Sequence, residues 1–176
     1  MKLKIALAVL FTLALVACKP ASAEDRLTAG FTQKAVAELS DTWTVGVEKD
    51  FGKLGNVVVV GEAGYTNVLD VNVQDSVWTA GLGVEVPLSD KVHMEVGYTR
   101  QFVNDDGNDF DQYRAGAVYQ GDKWRFSGAA VKQEGVDVFA EATAERKVFG
   151  DLAVGVGTRF DQSEYFATTV FAAYRF

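Results

Sequence analysis

Phe166-Ala-Thr-Thr-Val-Phe-Ala-Ala-Tyr-Arg-Phe176, the last eleven residues, decides the fold. Successive side chains of a strand point to opposite faces. One row is therefore Phe166, Thr168, Val170, Ala172, Tyr174 and Phe176, and the other Ala167, Thr169, Phe171, Ala173 and Arg175. The first row is apolar and ends in two alternating aromatics. Working back towards Leu27, nine more segments alternate in the same way, near 27–36, 42–51, 57–67, 77–88, 91–103, 111–120, 124–133, 138–148 and 152–161. Their enrichment in Val, Thr, Tyr, Phe and Trp suits strands. The only prolines are Pro20 and Pro87. Pro87 falls at a strand end, where a missing N–H is tolerated. The expectation is an all-β domain.

The other end of the chain is built for export. Met1 to Lys4 is a positive n-region, Ile5 to Ala17 an apolar stretch, and Ala21-Ser-Ala23 a small-residue cleavage site ahead of Glu24-Asp25. This is the pattern of a secretory signal peptide, and its apolar stretch is short of the roughly 20 residues a membrane helix needs. Two domains follow: a signal peptide over 1–23 and a barrel over 24–176. Leu15-Val16-Ala17-Cys18 also fits a lipobox, so lipidation at Cys18 is the alternative to cleavage after Ala23. Cleavage after Ala23 leaves no cysteine, hence neither disulfides nor thiol chemistry. It also leaves 14 basic against 24 acidic residues, a net charge of −10. An acidic chain repels nucleic acid. No later segment reaches 18 uninterrupted apolar residues, so a transmembrane helix is not expected.

The connections differ in character. Gly52-Lys-Leu-Gly-Asn56, Ser89-Asp90, Gly121-Asp-Lys123 and Phe149-Gly-Asp151 are tight turns rich in Gly and Asp. Between them lie more variable links: Ala37–Asp41, Val68–Ser76, Asn104–Phe110, Glu134–Asp137 and Gln162–Tyr165. An even strand number with short turns on one side and longer loops on the other suits a transmembrane barrel. Ten strands place both termini beside the tight turns; eight strands, with 24–55 as an extension or plug, is the alternative.

Alternation alone does not say which row faces outward, since a soluble ligand-binding barrel would turn its apolar row inward. Aromatic placement does. Trp43, Tyr65, Trp78, Tyr98, Phe102, Tyr113, Phe160 and Phe166 fall at loop-side ends of the apolar row, and Phe51, Tyr119, Trp124, Phe126, Tyr174 and Phe176 at turn-side ends. Two aromatic girdles around a Val/Ala/Leu waist are what the two membrane interfaces favour. Ten steps of about 3.3 Å at a tilt of ~40° rise roughly 25 Å, the height of a barrel's apolar band. The fold class is thus a closed antiparallel up-and-down transmembrane β-barrel.

The signal peptide, tight turns, girdles and terminal Phe176 resemble the small OmpA-like and OmpX-like bacterial outer-membrane barrels. The resemblance covers the whole of 24–176 as a pattern. It implies residence in the cell outer membrane, contact with outer-membrane lipid and lipopolysaccharide, and handling of the C-terminal strand by the barrel-assembly machinery through Phe176. The best-known members have eight strands and longer loops, so the ten-strand count departs from them.

On the polar row, strands two to five supply Glu48, Glu62, Glu85 and Glu95, and strands six, seven, nine and ten supply Arg114, Arg125, Arg159 and Arg175. Strand eight adds Glu141, Glu145 and Lys147. The two sets are expected to confront each other across the lumen, either as a packed polar core or around a narrow water-filled pore. About eight strands are just filled by side chains, and ten lined by many glycines leave room for a thin channel.

Chemistry is poorly served. Acid–base or nucleophilic catalysis needs a base in reach of a partner, and the single histidine, His93, lies just beyond the turn Ser89-Asp90, best read as a lumen residue beside Glu95 or Glu85. Asn104–Asp109 is acidic, but its twelfth position is Ala115, which fails the calcium-loop pattern. No metal motif or phosphate loop is present, and no cofactor is expected. The expectation is a non-enzymatic outer-membrane barrel with a structural or surface-interaction role. The alternatives are a small-solute porin and a soluble or lipid-anchored periplasmic ligand-binding barrel.

Overall fold

A computed structural model describes residues 25–34, 41–68, 76–103, 109–160 and 166–176. The proposed signal peptide, Cys18 and most of the links at 37–41, 68–76, 104–110 and 162–165 lie outside these residues. Ten strands form: β1 Arg26–Lys34, β2 Thr42–Leu54, β3 Val57–Val68, β4 Ser76–Pro87, β5 Val92–Val103, β6 Phe110–Gln120, β7 Trp124–Gln133, β8 Phe139–Phe149, β9 Leu152–Phe160 and β10 Phe166–Arg175. There is no helix among the described residues. Each strand pairs antiparallel with its chain neighbours, and β1 pairs with β10 to close the barrel. The eight-stranded alternative is excluded, because residues 26–54 form two members of the wall rather than a plug.

The turn after β2 differs from the expected Gly52–Asn56. Strand β2 runs on to Leu54, with a bulge between Asp50 and Gly52, and the true turn is Gly55-Asn56. Asp50 carries the bulge: its carboxylate accepts the Gly52 N–H at 2.5 Å, and Gly52 takes φ 119°, which favours glycine. The bulge aims Phe51 over the wall of β3, where Gly61 leaves room for the ring. An aromatic ring covering a strand glycine replaces the side-chain packing that the glycine lacks.

Exposure separates the two rows. Leu82, Val96, Val154, Val156, Val170 and Phe160 are all exposed, as are Trp43, Tyr113, Trp124, Tyr174 and Phe176, so this row faces out. The opposite row holds Ala153, Ala167, Ala173, Val118 and Glu145, all buried, and faces the lumen. At the terminus-side edge the outward row also carries a buried ion pair, Asp25 to Lys49 at 3.8 Å.

The girdle aromatics meet one another, across strands on the loop side and also along one strand on the terminus side. On the loop side Tyr65 lies between Trp43 and Trp78, with ring centroids 5.3 and 4.4 Å away, and Tyr98 meets Tyr113 at 5.4 Å. On the terminus side Trp124 stacks on Phe126 at 5.7 Å and Tyr174 on Phe176 at 6.2 Å.

Candidate functional site in the barrel lumen

The inner row divides the lumen into two unlike halves. Along β7 to β10 and β1 the interior is filled. Strand β8 sets Glu145 on this row, 2% exposed, opposite Arg125 of β7. Two more guanidinium groups reach the same carboxylate. Arg26 of β1 donates to Glu145 Oε2, and Arg175 of β10 donates to Oε1 at 2.7 Å. In barrel order β1 and β8 are three strands apart, so Arg26 crosses the interior rather than lying along the wall. Arg26 also stands 3.7 Å from Glu48 and lies 5.7 Å above the Phe171 ring. Charge-assisted contacts of this kind are the strong class of hydrogen bond.

Nearer the loop side the same half is closed by apolar packing. Val131 and Phe139 are buried with Ala129, and Val136 of the β7–β8 connection packs against them. Arg159 lies over the Phe139 ring, 3.4 Å from its centroid.

The other half, from β2 to β6, is lined by small residues and acids. Gly83 and Gly97 flank a cavity of about 60 Å³ bounded by Glu48, Glu62, Glu85, Glu95, Thr99 and Arg114. That is room for a few waters. Glu62 accepts a hydrogen bond from the Thr99 hydroxyl, and Arg114 pairs with Glu95 at 2.9 Å.

The expected confrontation of acidic and basic walls is therefore realised differently. Arg114 pairs along the wall with Glu95 on the neighbouring strand, and the contact that spans the lumen runs from Arg26 and Arg175 to Glu145. Neighbouring strands lie about 4.8 Å apart, so a long arginine reaches the adjacent strand before the far wall. Glu141 sits on the inner row of β8, opposite Arg159 of β9. Sequence reading missed Arg26, because it began the first strand at Leu27; continuing the alternation Thr28, Gly30 back by one step finds it. It also missed the plug of Val131, Val136 and Phe139, whose signal was two large apolar residues on the otherwise polar row.

Charged groups on the outward row keep to the girdles. Arg100 pairs with Asp109 at 3.2 Å and approaches Asp111 at 3.8 Å, while the Tyr98 hydroxyl donates to Asp111 at 2.8 Å. At the opposite rim Arg146 lies over Trp124 at 5.4 Å. His93 is on the inner row at the terminus-side end of β5. Among the described residues no group of three His, Cys, Asp or Glu side chains is placed to hold a metal ion.

No protein-family model matches the chain, and no curated protein matches it in sequence. Solved structures do. The KdgM porin in complex with disordered oligogalacturonate is 8% identical at a TM-score of 0.58, the match covering 88% of this chain and 99% of that one. The KdgM porin alone is 11% identical at 0.56, covering 86% and 99%. The outer membrane protein Ail of Yersinia pestis is 12% identical at 0.45, covering 88% and 100%. At such identities the likeness is one of fold: the chain has the closed antiparallel barrel fold that the KdgM porin also has.

Proposed function

We propose that the chain is an integral outer-membrane β-barrel without enzymatic activity, serving a structural or surface-interaction role, with a lumen occluded by its own side chains. One observation carries this reading: large apolar side chains are exposed all round the outer wall, while Arg26, Glu145 and Arg175 pair inside it. Monomeric soluble proteins rarely expose contiguous apolar patches beyond a few hundred Å². Hydrocarbon is the medium that suits such a wall, and aromatic girdles suit its two interfaces. Both termini and the tight turns then lie on the periplasmic side, with residues 1–23 as an export signal cleaved after Ala23, or lipidation of Cys18 as the new N-terminus in place of that cleavage. The longer links face outward, where variable loops on a rigid frame serve contact with partners. Outer-membrane lipid and lipopolysaccharide are the surroundings, and the barrel-assembly machinery is the handler of the strand that ends in Phe176. The fold shared with the KdgM porin supports the same placement.

Fractionation and refolding test it. The protein is expected to need detergent for extraction, to migrate differently on gels before and after heating, and to give no steady unit conductance in planar bilayers. A monodisperse protein in plain buffer with Val84, Val96 and Val156 shielded would overturn the membrane assignment. The second reading, a small-solute porin, is favoured by the glycine-lined acidic half of the lumen and by the porin fold; reproducible single-channel steps from the wild-type protein would establish it instead.

A further inference from the structure

We propose that Glu145 is the latch of the closing seam: one buried carboxylate on β8 holds the first and last strands together by bridging two arginines that the seam sets face to face. Every other neighbouring pair of strands is consecutive in the chain; β1 and β10 are not, and their pairing rests on the ladder and side chains alone. In that ladder Arg26 is the direct partner of Arg175. Both side chains are on the inner row and mostly covered, 13% and 19% exposed. Like charges directly opposite on neighbouring strands are destabilising, and away from bulk water the repulsion is screened less.

Glu145 resolves this by dividing its two oxygens. Oε2 takes Arg26 and Oε1 takes Arg175, so a single side chain three strands from β1 and two from β10 staples both. Arg125 of β7, its register partner, adds a third cation at the same place. Glu48 of β2 offsets Arg26 from the other side at 3.7 Å but is a third exposed, and Lys147 is turned to Asp151 at 3.2 Å. Glu145 contacts both seam arginines. Because Arg26 must cross the interior to reach it, closure of the wall and blockage of the lumen at this level are one event.

The inference rests on the membrane-barrel reading only for its medium. The test compares amide hydrogen exchange by NMR in detergent micelles for wild type, Glu145→Gln, the pair Arg26→Gln/Arg175→Gln, and all three together. Glu145→Gln keeps the shape and removes the charge. It is expected to speed exchange of the paired β1 and β10 amides by roughly tenfold or more, relative to those of β4 and β5, and the triple variant is expected to recover most of the loss, as coupled residues do. Equal exchange in wild type and Glu145→Gln overturns the latch, as does an even rise over all ten strands or a triple variant no better than Glu145→Gln. If Glu145→Gln does not fold, a folded triple variant supports the latch, and an unfolded one overturns it. A wild-type protein that is soluble without detergent defeats the membrane reading alone, and the same four-way comparison then runs in buffer.

Discussion

A methyl group added at Gly155 would stand 2.6 Å from Phe171 Cε2 and 2.9 Å from the Ala144 carbonyl. The Phe171 ring lies in the lumen against β9, and glycine is what lets it lie there. Overpacking of this kind costs about 1–3 kcal/mol. Gly155→Ala is therefore expected to lower the urea midpoint of the folded barrel, and Phe171→Leu on the same background to restore part of it by removing the ring. Equal midpoints for wild type and Gly155→Ala would show that the ring moves freely. On the opposite row the argument is one of solvent. Val156 is exposed on the outer wall near mid-strand, and an arginine at the bilayer midplane costs about 2–4 kcal/mol. Val156→Arg is expected to lose that much stability in lipid vesicles, whereas Tyr174→Arg, in the terminus-side girdle, is expected to lose much less.

At the scale of elements, the β7–β8 connection does more than link two strands. Gly135 takes φ 73° and the Val136 N–H returns to the Gln133 carbonyl at 3.2 Å, which directs Val136 onto Val131 and Phe139. Val136→Asp puts a charge against that apolar plug. It is expected to cost about 1–3 kcal/mol and to shift the NMR signals of Phe139 and Val131 while leaving those of β3 and β4 in place. The last strand carries a different expectation. Phe176 is outward and stacked on Tyr174, so Phe176→Ala removes little of the barrel's packing. If the assembly machinery reads this end, the variant refolds in vitro like the wild type yet accumulates less in the outer membrane of cells, as measured by fractionation. Equal accumulation would leave the terminal ring a girdle residue and nothing more.

The strands themselves were legible. All ten were expected within three residues of their observed ends, because period-two alternation and Gly/Asp turns are local properties of the chain. The largest departure came at β2, where Gly52 marked a bulge rather than a turn. In both settings glycine supplies the same backbone freedom, and only pairing with Val59 of β3 separates them.

Taken whole, the molecule is a wall that alternation builds and a lumen that contacts fill. The filled half runs from the Glu145 cluster to the Val131–Phe139 plug, and the acidic half keeps a small cavity beside Gly83 and Gly97. Removing the acidic charges with Glu62→Gln and Glu95→Gln is therefore expected to leave bilayer conductance at the wild-type level, since the packed side chains lie in the other half. A change in conductance on that pair of substitutions would move the pathway to the glycine-lined half.

The sequence by itself determined the all-β class, the ten alternating segments, which row is apolar and where the aromatics fall, because each depends on neighbours within one strand or one turn; that the first two segments are part of the wall and not a plug was decided by closure between β1 and β10. Only the tertiary structure decided the partners: Arg26 with Glu145 across 119 positions of chain, Arg114 with Glu95 along the wall, Val136 with Phe139 in the mouth. The first follows from closure and stagger of the barrel, which bring inner-row side chains of non-adjacent strands to one level; the second is a diagonal reach between paired strands and the third is set by the turn at Gly135, and no local pattern encodes which of several arginines will reach a given carboxylate.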